Sequence, residues 1–151
     1  PGQDNRVDLV RQKLSPIVSE VRGKRIVLID DSIVRGTTSG QIVGLLREAG
    51  AKEIHMRISA PPFRNPCYYG TDIDSREHLI ACRHSVPEIA RIIGADTLGY
   101  LPMEDLKELI GCREYCDACF SGNYPTEIPE SFEKDHFEAP LSRRKPKGER
   151  K

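Results

Sequence analysis

The sequence has no surplus of charge, no long apolar run and no internal repeat, and these absences narrow its possible functions. Its 151 residues carry 23 basic and 23 acidic side chains, so no charge excess indicates a nucleic acid or a strongly charged partner. No apolar stretch approaches the roughly 20 residues that span a bilayer, and the polar first residues do not form a secretory signal. We therefore expect a cytoplasmic protein about one domain in size, which binds neither nucleic acid nor membrane.

The five cysteines lack the even, regular spacing of a secreted disulfide framework. Three of them, Cys112, Cys116 and Cys119, are crowded into one short segment. The CxxC spacing of the last two allows both thiolates to reach one metal centre. This crowding predicts a reduced compartment and a metal or cluster site, with simple buried cysteines as the alternative.

The central part of the sequence predicts a βαβ unit. Residues 26–29 are four branched apolar residues, which is typical of a central parallel strand buried on both faces. A helix is predicted from about Ser39 to a stop at Gly50. Its apolar stripe consists of Ile42, Leu45, Leu46 and Ala49. Over residues 54–58 apolar and polar side chains alternate, which predicts a second strand with one wetter face.

Two further helices and a short strand are predicted downstream. Ser85 and Glu88 form a capping box in front of a helix over residues 86–93. Residues 98–101 predict a short last strand. Residues 102–110 predict another helix, because a proline stands at its start and a glycine follows its end.

The most informative segment, IVLIDDSIVRGTTS at residues 26–39, joins the first strand to the first helix. Its strand brings Asp30 and Asp31 to the carboxyl edge of the sheet, where ligands bind in open α/β folds. Gly36 allows close backbone approach, and the unpaired N–H groups at the helix start form a site for a phosphate dianion. The other candidate ligand-binding side chains of this segment are Ser32, Arg35, Thr37, Thr38 and Ser39. Acceptors for sugar hydroxyls or hydrated Mg²⁺ thus precede donors for a phosphate, and a ribose 5-phosphate requires both. The sequence contains no GxxxxGK[ST] motif, so the segment is not a P-loop.

This segment resembles the phosphoribosyl pyrophosphate motif of type I phosphoribosyltransferases. The wider sequence resembles the amidophosphoribosyltransferase family over most of residues 6–129, in the stretches KRIVLIDDSIVRGTTS, LLREAGAKEIHMRISAPP, CYYGTDI, IGADTLGYL and CDACFSGNYPTEI. The resemblance implies an α/β type I phosphoribosyltransferase fold, a parallel sheet with flanking helices that is incomplete in this chain. It implies the C-terminal portion of that domain at 1–101, with a mobile loop and lead-in at 1–22. A helical, cysteine-bearing extension at 102–132 would follow. From Glu133 the sequence is polar and its end is mostly basic with Pro and Gly, which by itself predicts a disordered tail at 133–151.

The family transfers glutamine-derived ammonia to phosphoribosyl pyrophosphate, giving 5-phosphoribosylamine, pyrophosphate and glutamate in the first committed step of purine biosynthesis. By resemblance, Asp30 and Asp31 hold the ribose hydroxyls and the associated Mg²⁺, while residues 36–38 cradle the 5-phosphate. The segment VRQKLSP resembles the family's mobile loop, which would bring Arg11 and Lys13 towards the pyrophosphate. Plain exposed charges are an equally good interpretation of both side chains.

One branch of the family carries a 4Fe–4S cluster, and three of its ligands match Cys67, Cys116 and Cys119. The fourth ligand of the family lies upstream of this chain, while Cys82 and Cys112 match no ligand. Because the reaction transfers no electrons, a cluster here would be structural or oxygen-sensing. Zinc is the alternative metal.

The resemblance also implies a homo-oligomer, commonly a tetramer, that purine nucleotides inhibit. In the family an N-terminal cysteine of a separate domain cleaves glutamine, whereas this chain begins with Pro1. We therefore expect a fragment that by itself has no glutamine-dependent activity. Two alternatives stay open: another type I phosphoribosyltransferase that uses a base as acceptor, and a non-catalytic regulator that binds phosphoribosyl pyrophosphate.

Overall fold

The computed structural model describes residues 14–73, 75–111 and 115–128. The strands of its parallel sheet, in the spatial order β1-β2-β3, are β1 (Arg25–Asp30), β2 (Glu53–Ile58) and β3 (Thr97–Tyr100). The helices are α1 (Val18–Val21), α2 (Thr37–Glu48), α3 (Ile80–Arg83), α4 (Val86–Ile93), α5 (Met103–Ile110) and α6 (Ala118–Ser121). A 3₁₀ turn, Arg76–His78, precedes α3.

The predicted βαβ unit is confirmed, because β1 and β2 pair in parallel and α2 connects them. The alternation in β2 is confirmed as well: Ile54, Met56 and Ile58 are buried, whereas Arg57 on the other face is exposed. Downstream, α4 begins with the predicted capping box, in which the backbone N–H of Ser85 donates to a Glu88 carboxylate oxygen at 2.7 Å. The short last strand and the helix after Pro102 are also present.

Two clusters of buried side chains form the interior. The first lies between β2 and the helices and consists of Ile33, Met56, Ile58, Ile80, Ala81, Ile89 and Ile93. The second consists of Phe63, Ile73 and Leu79, and it is partly covered by Val34, Cys67, Cys82, Cys119 and Phe120. Apolar burial of this kind supplies most of the stabilisation of a small domain.

The prediction that the first strand is central and buried on both faces is wrong for the described sheet. In this sheet β1 pairs only with β2, so β2 is the central strand. The side chains of Val27 and Ile29 are 63% and 73% exposed. They alternate with half-buried Ile26 and Leu28, because successive residues of a strand point to opposite faces. The described helices therefore cover one face of β1 and leave the other open.

The predicted helix over 39–49 exists, but its start and its most buried side chain differ from the prediction. It begins at Thr37, because Gly36 has a left-handed backbone that turns the chain into the first helical residue. Val43, which lies outside the predicted stripe, is 1% exposed. Of the stripe residues, Ala49 is buried as predicted, whereas Ile42, Leu45 and Leu46 are half-buried. The difference arises because α2 packs against α4, which draws Val43 inward next to Gly94.

Several predictions lie outside the described residues: those on Arg11, Lys13, Cys112 and the tail from residue 133. The division of the chain at residues 101 and 132 also stays a prediction. Within the described part of the chain, no helix has the length and apolar composition needed to cross a bilayer.

Candidate functional site

The two acids stand where β1 ends, at the carboxyl edge of the sheet. Asp30 is the last residue of β1, and its Oδ1 accepts the backbone N–H of Asp31 at 2.9 Å. The Ser32 hydroxyl donates to Asp31 Oδ1 at 2.8 Å. From β2, the backbone N–H of Ser59 donates to the Asp30 carbonyl at 3.0 Å. These bonds fix both carboxylates locally. An ionised carboxylate accepts about four hydrogen bonds, so each retains capacity for a ligand.

We name residues 30–36 the acid–glycine loop. This loop connects β1 to α2 and ends at Gly36, directly before the first residue of the helix. Gly36 is the N-cap of α2, with φ of 80°, and among the described residues no side chain makes a capping hydrogen bond there. The backbone N–H of Gly40 donates to the Gly36 carbonyl at 2.9 Å, which is the first bond of the helix. The N–H groups of residues 37–39 therefore have no acceptor within the helix. Together with the helix dipole they form a site that favours an anion.

The polar side chains around this helix start differ in exposure. Thr37, Thr38 and Arg35 are exposed, and Ser32 is half-buried. Ser39 is only 3% exposed, so its hydroxyl presents little surface to a ligand. The structure thus brings most of the predicted phosphate-binding residues to one exposed turn, and it places Ser39 in the interior behind them.

The ends of β2 and β3 meet the acids at the same edge, because the strands are parallel. The Ser59 hydroxyl, just after β2, lies 3.3 Å from the Asp30 carbonyl. Tyr100 ends β3, and burial raises the pKa of its hydroxyl to about 12, so it stays protonated at neutral pH. Tyr100 packs against the first buried cluster, so of the two only Ser59, through the Asp30 backbone, contacts the residues of the acid site.

A groove of about 510 Å³ runs along the flank of α2, between α2 and α4. It begins beside Gly36 and extends to Arg47 in the last turn of the helix, with Gly40 and Gly44 between them. The groove therefore leads away from the carboxyl edge. It shares only its first residues with the site of the two acids.

An ion pair anchors the far end of α2. One carboxylate oxygen of Asp96 accepts Arg47 Nη2 at 2.6 Å and the backbone N–H of Ile54 at 2.6 Å. Arg47 Nη1 also donates to the Lys52 carbonyl at 3.1 Å. The Ile54 N–H and then the Arg47 guanidinium hold the pKa of Asp96 below its usual range. Asp96 therefore connects α2 to β2.

The three cysteines that the resemblance selects lie in one region. The backbone N–H of Thr71 donates to Cys67 Sγ at 3.4 Å. Burial by itself raises the pKa of Cys67, but the N–H groups that follow it in the chain outweigh burial and lower that pKa overall. Burial raises the pKa of Cys119 to about 11, and the nearby Cys67 and Cys116 add to this shift. Cys67 and Cys116 are therefore near enough to Cys119 to raise its pKa, while the local N–H groups lower the pKa of Cys67.

The described residues do not contain a group of three His, Cys, Asp or Glu side chains in position to hold a metal ion. The donor type nevertheless fits an iron–sulfur cluster or zinc, because both select thiolates. Cys82 packs in the same region, and its Sγ lies 3.2 Å from the Arg64 carbonyl.

Hydrogen bonds and aromatic contacts hold the CxxC segment against the loop that carries Cys67. The backbone N–H groups of Arg64 and Asn65 both donate to the Cys119 carbonyl at 3.0 Å. The rings of Phe63 and Phe120 lie 4.9 Å apart. The Tyr124 hydroxyl donates to the Pro66 carbonyl at 2.7 Å. Residues distant in sequence thus form one cysteine-bearing lobe, made of residues 63–73 and 115–124.

Comparison with known proteins gives consistent relatives, although no protein-family model matches. An amidophosphoribosyltransferase of Methanothermobacter thermautotrophicus is 52% identical over 134 residues, which cover 87% of this chain and 28% of that protein. The Bacillus subtilis enzyme of the same name is 55% identical over 135 residues, covering 85% of this chain and 28% of that protein. A chloroplastic amidophosphoribosyltransferase of Glycine max is 55% identical over 132 residues, covering 86% and 23%.

Solved structures give the same result. A glutamine phosphoribosylpyrophosphate amidotransferase from B. subtilis, complexed with ADP and GMP, matches with a TM-score of 0.73 and 48% identity. The match covers 91% of this chain and 32% of that one. A structure described as the allosteric regulatory enzyme of purine biosynthesis matches with a TM-score of 0.76 and 48% identity, covering 94% and 32%. The chain thus spans about a third or less of the length of each relative.

Proposed function

Since this chain belongs to the amidophosphoribosyltransferase family over the residues it shares with these relatives, we propose that it supplies the phosphoribosyl pyrophosphate site of such an enzyme. Its parallel sheet with flanking helices is part of the type I phosphoribosyltransferase fold. The observation that carries the proposal is the uncapped start of α2 behind Gly36, directly after two carboxylates at a strand end.

In this proposal each part of the acid–glycine loop binds one part of the substrate. Asp30 and Asp31 accept hydrogen bonds from the ribose hydroxyls, and the N–H groups of residues 37–39 hold the 5-phosphate, helped by the exposed Thr37 and Thr38. Mg²⁺, which prefers carboxylate, phosphate and water oxygens, would be held beside the same acids and would neutralise charge on the pyrophosphate. Arg35 and Lys13 would add positive charge near the phosphates.

In the proposed reaction the protein forms no covalent bond with the substrate; it positions the reactants and stabilises charge. Ammonia displaces pyrophosphate from C1 of the ribose, so a C–N bond forms as the C–O bond to the leaving group breaks. The acids and the helix start fix the sugar at both ends, which reduces the orientational freedom that the reaction must otherwise remove. Carboxylates close to the ribose also favour the positive charge that develops on the sugar.

For the cysteine-bearing lobe, we propose that Cys67, Cys116 and Cys119 are ligands of a 4Fe–4S cluster, with zinc as the alternative. The support is the thiol donor type, the lowered pKa of Cys67 and the packing of Cys67 and Cys119 against the same buried cluster. Inhibition by purine nucleotides, homo-oligomeric assembly and a cytoplasmic location are further parts of the proposal. The B. subtilis relative was solved with ADP and GMP, which supports the first of these.

The decisive experiment replaces the matching segment of the B. subtilis enzyme by this chain. This chimera joins the chain to a related enzyme that is 55% identical over 135 residues. We expect it to form phosphoribosylamine from phosphoribosyl pyrophosphate with either glutamine or ammonia. Changing both acids, Asp30→Asn with Asp31→Asn, should lower kcat/KM by about 100-fold or more, corresponding to roughly 2.7 kcal/mol.

A charge-matched control changes two carboxylates outside the acid–glycine loop, Glu20→Gln with Glu53→Gln. Glu20 lies in α1 and Glu53 starts β2, at the opposite end of the strand from Ile58. This control should stay within about threefold of the unsubstituted chimera, roughly 0.65 kcal/mol. A soluble chimera that hydrolyses glutamine but makes no phosphoribosylamine would overturn the proposal. Transfer to a purine or pyrimidine base instead would favour the other transferase class.

A further inference from the structure

We propose that Ile80 is a positioning residue for the acid–glycine loop, acting through Val34 and Gly36. The inference rests on the proposed function, because its effect is expected on the binding of phosphoribosyl pyrophosphate. Ile80 is the first residue of α3 and is far from the loop in sequence.

Ile80 holds the loop by its backbone and by its side chain. Its backbone N–H donates to the Val34 carbonyl at 2.9 Å. Its side chain lies directly behind Gly36: a Cβ added at Gly36 would be only 2.9 Å from Ile80 Cδ1. Ile80 is 4% exposed, so both contacts are shielded from water. One residue thus fixes two points of the loop from its buried side.

Ile80 is itself held in place by the cysteine-bearing lobe. The preceding residue, Leu79, is fully buried and packs with Phe63 and Ile73. Val34 of the loop packs against the same cluster. The acid–glycine loop and α3 therefore pack against the same buried cluster. Because such a core is close-packed, it resists small displacements of both segments.

The position of Gly36 determines where the phosphate-binding groups point. Gly36 is the N-cap of α2, and its left-handed backbone sets the direction in which residues 37–39 leave the loop. If the Ile80 side chain is shortened, Gly36 can move towards the space that Cδ1 occupied. The backbone N–H groups of residues 37–39 would move with it. We therefore expect weaker substrate binding and a smaller effect on the chemical step.

The test compares three substitutions in the chimera. Ile80→Val removes Cδ1 alone, and Ile80→Met restores a terminal methyl of similar reach. The control, Ile54→Val, removes the same methyl group from another fully buried isoleucine, which is 0% exposed. Ile54 lies near the start of β2, and its backbone N–H donates to Asp96 rather than to the acid–glycine loop. Each variant is assayed for KM and kcat with phosphoribosyl pyrophosphate, for KM with ammonia, and for its unfolding midpoint.

Ile80→Val should raise KM for phosphoribosyl pyrophosphate at least threefold, while kcat and KM for ammonia stay within twofold. Ile80→Met should restore KM to within twofold, and Ile54→Val should leave it unchanged despite a similar loss in unfolding midpoint. Equal KM values for the Ile80→Val and Ile54→Val variants would overturn this inference but leave the proposed function standing. If the unsubstituted chimera were inactive, the proposed function would fail and this inference with it.

Discussion

Replacing Gly36 by alanine tests the loop geometry most sharply, because the substitution adds one methyl group at a crowded, left-handed position. The backbone of Gly36 has φ of 80°, a conformation that costs a residue with a Cβ about 1–2 kcal/mol. The new Cβ would also lie 2.9 Å from Ile80 Cδ1 and 3.5 Å from Ile93 Cγ2. Both terms destabilise the folded state, and neither is present in the unfolded chain.

The steric term is the smaller part of the expected loss. Adding a methyl group to a packed core costs about 1–3 kcal/mol, and the lower end applies here because the closest atom is the end of a side chain. The free energy of unfolding should therefore fall by about 2–3 kcal/mol in Gly36→Ala. Urea denaturation of the 151-residue chain, followed by circular dichroism, measures this change.

Substitutions at two other glycines separate the conformational cost from the steric cost. Gly23 has φ of 72° with no atom within 4 Å of an added Cβ, so Gly23→Ala should show the conformational cost alone, about 1–2 kcal/mol. Gly44 lies inside α2 with the same open surroundings, so Gly44→Ala should stabilise the chain by up to about 1 kcal/mol. If Gly36→Ala cost no more than Gly23→Ala, the packing of Ile80 behind the loop would be refuted.

Two further predictions concern charge and metal. The pKa of Asp96 is lowered in the folded state, so its stabilisation is complete above the unfolded pKa of about 4 and is lost as pH falls through the folded pKa. Unfolding midpoints from pH 7 to pH 2 should thus fall more steeply below about pH 4 in the wild type than in Asp96→Asn. In anaerobically purified chimera, iron and sulfide should be lost in Cys67→Ser and Cys119→Ser and kept in Cys82→Ser; zinc without sulfide would support the alternative metal.

Each of these two predictions has a result that contradicts it. Parallel pH curves for the wild type and Asp96→Asn would mean that the Arg47–Asp96 pair does not persist in solution. Neither iron nor zinc in the unsubstituted chimera would defeat both metal assignments. Iron lost equally from the Cys82→Ser variant would show that the ligand set differs from the three proposed cysteines.

Much of the fold follows from local sequence patterns. The βαβ unit is predictable because the period of apolar residues changes from that of a strand to that of a helix and back. The capped start of α4 is predictable because Ser85 and Glu88 interact over one turn. The acid–glycine loop is predictable for a similar reason: its acids, glycine and hydroxyls are consecutive in the chain.

Features that depend on contacts between distant residues were not predictable. An apolar run such as residues 26–29 does not encode the number of neighbours that a strand has, so it does not predict the exposure of Val27 and Ile29. Period alone likewise could not show that α4 would draw Val43 inward. The contact between Ile80 and Gly36 joins segments that are remote in sequence, and no residue type marks it.

The position at which a sugar phosphate binds tests the proposed site most directly. A crystal structure of the chimera with phosphoribosyl pyrophosphate and Mg²⁺ would measure this. We predict the 5-phosphate within hydrogen-bonding distance of the N–H groups of residues 37–39, with the ribose hydroxyls at Asp30 and Asp31. A phosphate bound elsewhere, with both carboxylates turned away from the sugar, would contradict the account.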